Sequence, residues 1–298
     1  MSAAPMHLDE ARIDASLVRR LLAEQFPRWA ELPLKRVESA GTVNALYRLG
    51  GDLAVRLPRI ADGADDVTKE HAWLPRLAPS LPFPVPEILG LGTPAADFPW
   101  HWAVLRWLDG DLPVAGALTD PYALAADLGA FVAALRGIDL PGGPTAYRGT
   151  PLATVDAETR SAIEDLRGAI DTRAATAAWE EALAAPSWAG PARWLHSDLM
   201  PMNLLIRGGR LAAVLDFGTL GTGDPACDFI PAWNLLPAEA RSAFRESAGA
   251  DDAGWARGRG WALSMALIQL PYYRATNPVI AANAEHVIRE VLADRRVL

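Results

Sequence analysis

The chain has 298 residues, of which 51% are hydrophobic and 21% are charged. These proportions are ordinary for globular proteins, so they exclude a wholly disordered chain and allow two lobes with sizeable cores. Lysine and arginine number 28 and aspartate and glutamate 36, giving a formal net charge of −8, whereas a nucleic-acid-binding protein usually carries a positive charge. We therefore expect no nucleic-acid partner.

The cysteine content and the distribution of apolar residues indicate the cellular compartment of the protein. Cys227 is the only cysteine, which excludes an intramolecular disulfide and a zinc site built from cysteines. Residues 1–14 contain early acids and no apolar core of a signal peptide. The apolar residues 261–270 are too few to span a bilayer. The sequence therefore predicts a cytoplasmic protein with no membrane partner.

The first third of the chain predicts a small, mostly antiparallel sheet with helices beside it. Asp14 can cap a helix that Pro27 ends. Residues 34–58 have the pattern of three strands, the last two joined by a hairpin at Gly50-Gly51-Asp52. Residues 66–78 should form a helix that Pro75 bends or shortens. A strand follows the proline-rich residues after this helix, and another lies within residues 101–108.

From Asp109 onward the pattern is helical. Asp120 and Pro121 predict a helix start, an N-cap followed by proline at the first helical position. Helical patterns continue through residues 155–185 and from 237 to the end. Residues 194–229 interrupt them with two short apolar strands, joined by a Gly-Gly turn, and with many Asp, Asn and Gly residues. Such a polar, turn-rich segment within a helical region is a typical place for catalytic residues.

This segment contains the parts that phosphoryl transfer from a nucleotide requires. Asp198 and Asn203 lie five positions apart in HSDLMPMN, and Asp216 begins Asp216-Phe217-Gly218 directly after an apolar strand. The order H-x-D-x-x-x-x-N, strand pair, D-F-G matches the catalytic and metal-binding loops of kinases. Asp198 would accept the proton of the attacking hydroxyl, while Asn203 and Asp216 would supply oxygen ligands to Mg²⁺.

HSDLMPMNLL and VLDFGTLGTGDPACDF resemble the two signature segments of the aminoglycoside phosphotransferase family, which usually read close to HGDLHPGNLL and IDFGxxxxGDPAxDL. The resemblance implies an α+β, protein-kinase-like bilobal fold, with a small, mostly antiparallel β N-lobe plus one helix and a larger helical C-lobe. Residues 1–108 would form the nucleotide-binding lobe, with the hinge at its end. Residues 109–298 would carry the catalytic loop and the acceptor site. Ser197, Met200 and Met202 depart from the family pattern without removing a ligand.

The resemblance also assigns residues to a nucleotide site for ATP or GTP. Arg56 stands where the family has a lysine on the third strand, and Glu70 is its expected partner on the following helix. We expect Arg56 to replace that lysine, because a guanidinium can bind phosphate and still pair with a carboxylate. Backbone groups near Arg106 and Leu108, at the end of the fifth strand, would pair with the purine. The small-residue loop between the first two strands would hold the phosphates through Ser39, Gly41, Thr42 and Asn44.

Other motifs have simpler explanations. Asp224 and Asp228 are expected to hold loop backbone or a positive partner, and His196 to orient the catalytic loop. Cys227 is expected to be an inert packing residue. Residues 90–95 imitate a dinucleotide-binding fingerprint but contain a proline and precede no helix, so we reject that function.

The sequence predicts a kinase that phosphorylates a hydroxyl of a small molecule, foremost an antibiotic of aminoglycoside, macrolide or peptide type. The absence of an acidic cluster at the C-terminus argues against a typical aminoglycoside. Two alternatives stay open: a metabolic kinase acting on a sugar, amino alcohol or amino acid, and a catalytically dead nucleotide-binding regulator, which Arg56 motivates. Candidate acceptor contacts on the helices after Gly218 are Trp233, Trp255, Trp261, Tyr272, Tyr273, Glu239, Asp251 and Asp252.

Overall fold

The structure is a computed structural model that describes residues 11–37 and 43–294, with only the backbone of Asp62. The chain forms two compact units. The first takes the chain up to Pro79 together with Pro84–Asp109 and Leu215–Gly218, and the second takes Ser80–Phe83, Gly110–Val214 and the chain from Thr219 onward.

A five-stranded antiparallel sheet forms the centre of the first unit, in the order β1-β2-β3-β5-β4. Its strands are β1 Leu34–Val37, β2 Asn44–Leu49, β3 Leu53–Pro58, β4 Ile88–Gly92 and β5 Trp102–Arg106. Alternate residues of β2 are buried, as expected for a strand with one face on a core. Gly50 has φ 61° in the turn between β2 and β3, a conformation that glycine adopts without strain. The predicted hairpin is confirmed.

Two helices, α1 Ala15–Gln25 and α2 Ala64–Leu77, belong to the first unit. Asp14 caps α1 as predicted, since its Oδ1 accepts the Leu17 N–H at 2.8 Å. The sequence predicts that Pro75 bends or shortens α2, and the helix is not shortened at this residue, because it continues through Pro75 to Leu77. Pro75 lies in the last turn, where a missing N–H removes just one intrahelical hydrogen bond.

The glycines of the rejected dinucleotide fingerprint lie in β4 and not in a phosphate-binding loop. A Cβ atom at Gly92 would lie 2.1 Å from the Trp102 ring, and one at Gly90 would lie 2.8 Å from the Phe26 ring. These glycines therefore let aromatic rings pack directly against the strand.

Seven helices are described in the second unit, and the sequence anticipated most of them. They are α3 Pro121–Gly137, α4 Asp156–Asp165, α5 Thr172–Ala184, α6 Pro231–Asn234, α7 Arg241–Ala248, α8 Asp252–Tyr273 and α9 Pro278–Asp294. The predicted cap of α3 is confirmed, since Asp120 Oδ1 accepts the Ala123 N–H at 3.0 Å. The single helical region predicted for 155–185 is two helices, because Asp171 starts a new one by accepting the Ala174 N–H at 2.9 Å.

Two short strand pairs accompany these helices: β7 Leu204–Arg207 with β8 Arg210–Val214, and β6 Arg193–Leu195 with β9 Gly221–Gly223. The Gly208-Gly209 turn of the first pair was predicted, and both residues have positive φ, 58° and 78°. The second pair was not, because three residues are too few for a recognisable alternation. Within the described part of the chain, no helix has both the length and the apolarity needed to cross a membrane.

Candidate active site

The predicted catalytic loop lies between β6 and β7 and is held in place by one buried carboxylate. Asp228 accepts the backbone N–H groups of His196 at 2.7 Å and of Ser197 at 2.8 Å, and its side chain is 1% exposed. Burial raises the pKa of Asp228 to about 6, although these two hydrogen bonds act in the opposite direction. The expected loop-holding role of Asp228 is confirmed.

Both oxygens of the Asp198 carboxylate are oriented by neighbours. Arg148 Nη1 donates to Oδ1 at 3.1 Å, and Asn203 Nδ2 donates to Oδ2 at 3.1 Å and to the Asp198 carbonyl at 2.9 Å. The Asp198 side chain is 24% exposed, so solvent and small molecules can reach it. Because Asn203 uses its amide nitrogen here, its carbonyl oxygen Oδ1 is the atom that can ligate a cation.

Arg148 is a site residue that sequence reasoning missed. Its Nη1 also donates to the carbonyl of Ser197 at 3.2 Å, so it contacts both the loop backbone and the Asp198 carboxylate. Its own loop is fixed by the Tyr147 N–H, which donates to the carbonyl of Thr219 at 3.2 Å. Arg148 precedes Asp198 by 50 positions and belongs to no motif, so the sequence contains no signal that connects the two.

The remaining polar residues of the segment behave as expected. Asp224 caps a short 3₁₀ helix, Pro225–Phe229, and pairs with the buried Arg257, whose Nε lies 2.6 Å from Asp224 Oδ2. His196 Nδ1 accepts the Asp198 N–H at 3.2 Å, which makes it an orienting residue. Cys227 is buried, and burial raises the pKa of its thiol well above the ordinary value. Its burial agrees with the packing role expected for it.

In the first unit, the structure brings Arg56 and Glu70 together in an ion pair whose side chains are 8% and 0% exposed. Arg56 Nη1 lies 3.1 Å from Glu70 Oε1, and Nη2 contacts Oε2. Burial alone would lower the pKa of Arg56, but the Glu70 charge and hydrogen bonds outweigh it, so the pKa is raised. Arg56 is therefore a permanent cation, and its Nε has no hydrogen-bond partner among the described residues. Its role in phosphate binding stays a prediction.

Helix α2 also holds the Asp216-Phe217-Gly218 segment. Glu70 Oε1 accepts the Phe217 N–H at 2.8 Å, and Lys69 Nζ donates to the Gly218 carbonyl. Asp216 itself has φ 58°, an unusual conformation for a residue other than glycine and one that is typical of functional sites. Burial raises the pKa of Asp66, and the charges of Asp216 and Glu70 raise it further against the opposing effect of Lys69. Three carboxylates, those of Asp66, Glu70 and Asp216, therefore lie near two cations, Lys69 and Arg56, which leaves one negative charge in excess beside the segment.

The other residues predicted to bind nucleotide are placed as follows. Asn44 begins β2, and its buried Oδ1 has no hydrogen-bond partner among the described residues. Arg106 pairs with Glu87 at 2.5 Å, and its backbone N–H donates to the Glu87 carbonyl at 2.9 Å. The hinge prediction therefore depends on the half-buried Leu108 and stays a prediction. Three of the residues predicted to bind nucleotide, Ser39, Gly41 and Thr42, lie outside the described part of the chain.

Several candidate acceptor contacts have structural roles instead. Trp233 and Trp261 are 0% and 3% exposed and belong to the core. Trp255 packs on Trp233, with ring centroids 4.7 Å apart. Asp251 caps α8 by accepting the Gly254 N–H at 2.6 Å. Periodic aromatic residues in helices are usually core, and these are examples. Tyr272, 61% exposed, remains accessible.

Comparison with known proteins now adds to this geometry. The family model of the phosphotransferase enzyme family (APH) matches residues 35–261. The chain belongs to this family. The predicted family membership and the predicted enzyme class, a phosphotransferase, are confirmed. A search of curated proteins finds no match.

Solved structures of the same fold include the GDP and kanamycin complex of APH(2″)-IIia, 20% identical over 93% of this chain and 99% of that one, with a TM-score of 0.74. Macrolide 2′-phosphotransferase MphH from Brachybacterium faecium is 24% identical over 92% of this chain and 97% of that one, with a TM-score of 0.61. The streptomycin-ATP-APH(2″)-IIa ternary complex is 16% identical over 94% of this chain and 97% of that one, with a TM-score of 0.61. The predicted fold class, α+β and protein-kinase-like, is confirmed.

Proposed function

We propose that this phosphotransferase moves the γ-phosphoryl group of ATP or GTP onto a hydroxyl of an antibiotic of aminoglycoside, macrolide or peptide type. The observation that carries the proposal is the Asp198 carboxylate, which is accessible and has both oxygens oriented, by Arg148 and by Asn203. An oriented, reachable carboxylate is what a base for an alcohol nucleophile requires.

In the proposed reaction, Asp198 accepts the hydroxyl proton as the oxygen attacks the γ-phosphorus. The bond between the γ-phosphorus and the bridging oxygen breaks, and the nucleoside diphosphate leaves with the electron pair. Each carboxylate oxygen has two lone-pair positions, so Oδ1 and Oδ2 can each keep their neighbour and still accept a proton. Arg148 and Asn203 therefore orient the base without blocking it.

The donor atoms present fit a magnesium ion. Asn203 Oδ1 and the Asp216 carboxylate are hard oxygen ligands, and Mg²⁺ usually takes one or two such protein ligands beside water and phosphate. In the described part of the chain, no group of three or more His, Cys, Asp or Glu side chains could hold a metal ion by itself. This agrees with a metal bound together with the nucleotide. When bound, Mg²⁺ neutralises charge on the phosphate oxygens.

Arg56 would provide the phosphate contact from the first unit. Two of its five N–H groups are accounted for by Glu70, and the guanidinium can offer the others to phosphate. The buried Glu70 keeps Arg56 in one orientation while it balances the charge. A lysine at this position could not hold the carboxylate with two parallel hydrogen bonds.

For the acceptor, the support comes from the family and from what similar enzymes bind. Similar structures are complexes with kanamycin, gentamicin and streptomycin, and other similar structures are macrolide 2′-phosphotransferases. A sugar, an amino alcohol or an amino acid is the alternative acceptor class.

The test is a turnover assay with Mg²⁺ and ATP or GTP in parallel against aminoglycosides, macrolides, peptide antibiotics, sugars and amino alcohols. Acceptor-dependent release of nucleoside diphosphate is expected for one antibiotic class. Asp198→Asn should abolish turnover and keep nucleotide binding, whereas Asp165→Asn, an exposed aspartate of α4, should change neither. Nucleotide binding without turnover on any acceptor, and without slow hydrolysis, would instead favour a catalytically dead regulator.

A further inference from the structure

The second unit contains a cavity of about 520 Å³ that none of Asp198, Asn203 and Arg148 lines. Its walls are the end of α3, the segment between α5 and β6, the 3₁₀ helix Pro225–Phe229, the loop between α7 and α8, and the first turns of α8. The volume is within the usual range of small-molecule sites. The phosphotransferase reaction proposed above assigns no role to this cavity.

Positive charge dominates the lining. Arg136, Arg193 and Arg257 line the cavity together with one acidic residue, Asp251. The charge of Arg257 is balanced by Asp224, to which it donates two hydrogen bonds. Two cationic groups, those of Arg136 and Arg193, therefore face one carboxylate.

The guanidinium of Arg193 has no partner among the residues that the structure describes. Within residues 11–37 and 43–294, it forms no ion pair and no side-chain hydrogen bond, although it is only partly exposed. Arg136 donates just one hydrogen bond, to the Gly249 carbonyl at 3.3 Å. Both side chains consequently keep N–H groups that can bind an anion.

The two arginines also repel each other. Burial is the main cause that lowers the pKa of Arg136, the charge of Arg193 lowers it further, and Asp251 acts in the opposite direction. A bound anion would remove this repulsion and satisfy the donors of both guanidinium groups. The cavity therefore has an electrostatic reason to be occupied.

Aromatic side chains provide an apolar wall. Trp188 is 38% exposed, and its orientation is fixed by its Nε1–H, which donates to the Pro191 carbonyl at 2.9 Å. Phe229 lines the same cavity. We propose that this cavity is a second binding site, separate from the catalytic residues, for a small anionic molecule whose phosphate or carboxylate group contacts Arg136 and Arg193 and whose apolar part packs on Trp188.

The test is isothermal titration of the full-length chain with citrate and, separately, inorganic pyrophosphate, with sorbitol as an uncharged probe. Nucleotide is kept in excess so that any phosphate site for nucleotide is already filled, and Mg²⁺ is left out because citrate and pyrophosphate would chelate it. We expect one anion to bind per chain and sorbitol not to bind. Arg193→Ala and Arg136→Gln should each weaken binding about tenfold or more, because each removes a charged hydrogen-bond donor.

Arg207→Ala is the matched control, since Arg207 is an exposed arginine of β7 that does not line the cavity. It should leave anion binding unchanged. The Arg193 side chain has no partner to lose in the described part of the chain, so its replacement should preserve the unfolding transition, which is checked by thermal denaturation. The proposal is overturned if neither anion binds the wild type, if Arg193→Ala binds as the wild type does, or if Arg207→Ala loses as much affinity as Arg193→Ala.

Discussion

Glu70 accepts the backbone N–H of Phe217 at 2.8 Å while it is also the ion-pair partner of Arg56. One buried carboxylate thus connects a strand, a helix and the Asp216-Phe217-Gly218 segment within the first unit. Because a buried acceptor with several donors has one favourable position, the three elements constrain one another.

Replacing Glu70 tests this connection. Glu70→Gln can still accept from Phe217, but it leaves the Arg56 charge buried without a counter-charge. We expect the free energy of unfolding to fall by about 3–5 kcal/mol, measured by urea denaturation. Glu87→Gln removes an exposed pair with Arg106, so it should cost less than about 1 kcal/mol. Equal losses in the two variants would contradict the buried pair's role.

The contact between Arg148 and Asp198 predicts a kinetic effect. If Asp198 is the base, Arg148→Gln should lower kcat about 10- to 100-fold by loosening the carboxylate, with little change in the KM for nucleotide. Arg148→Lys should recover part of the loss. Arg160→Gln removes a partly exposed arginine that pairs with Asp156, and it should leave kcat unchanged. A variant whose KM alone rises would assign Arg148 to nucleotide binding instead.

Ser197 replaces the glycine of the family pattern and has φ 64°, which is unfavourable for a residue with a Cβ atom. Its hydroxyl donates to the Thr219 carbonyl at 2.8 Å, which partly compensates. Ser197→Gly and Ser197→Ala both lose this hydrogen bond, but only glycine removes the backbone strain. Ser197→Gly should therefore be more stable than Ser197→Ala by about 1 kcal/mol in urea denaturation. If Ser197→Ala is the more stable of the two variants, the positive φ of residue 197 does not strain the backbone.

Asp228 predicts a pH dependence of stability. Its pKa in the folded chain, about 6, exceeds the ordinary value of 3.8 because burial disfavours the charged form, an effect that the nearby Asp198 charge adds to. Because the folded chain holds the Asp228 proton more tightly than the unfolded chain does, this proton adds to the free energy of unfolding. The added stability is complete below pH 4 and is lost as the pH rises through 6.

The matching variant is Asp228→Asn, which cannot titrate. The unfolding free energy of the wild type relative to this variant should fall by about 3 kcal/mol between pH 4 and pH 7. Urea denaturation at several pH values measures the difference. A difference independent of pH would show that Asp228 does not titrate in this range.

Sequence patterns that act between residues close together in the chain made many helix starts and turns of this protein predictable. The caps Asp14 and Asp120, the Gly50 turn and the Gly208-Gly209 turn each act through neighbours a few residues away. Two hydrogen bonds inside the loop from His196 to Asn203 are also local: the Asp198 N–H donates to His196 two positions away, and Asn203 donates to Asp198 five positions away.

What the sequence could not provide depends on contacts between distant positions. Arg148 reaches Asp198 across 50 residues, and Lys69 reaches Gly218 across 149. Neither is marked by spacing or composition, since a lone arginine or lysine is usually solvated. Trp233 and Trp255 were considered for an acceptor site because burial in a helical core and exposure in a pocket produce the same pattern of aromatic residues.

The four residues Leu215–Gly218 belong to the first unit, although the chain on either side of them belongs to the second. The first unit is thus not a continuous stretch of the gene. A fragment ending at Asp109 would lack the Phe217 N–H that Glu70 accepts, and a chimera that exchanges only the first 109 residues between relatives would combine one parent's Glu70 with the other parent's Asp-Phe-Gly segment. Recombination between such enzymes should therefore succeed most often when these two stretches are inherited together.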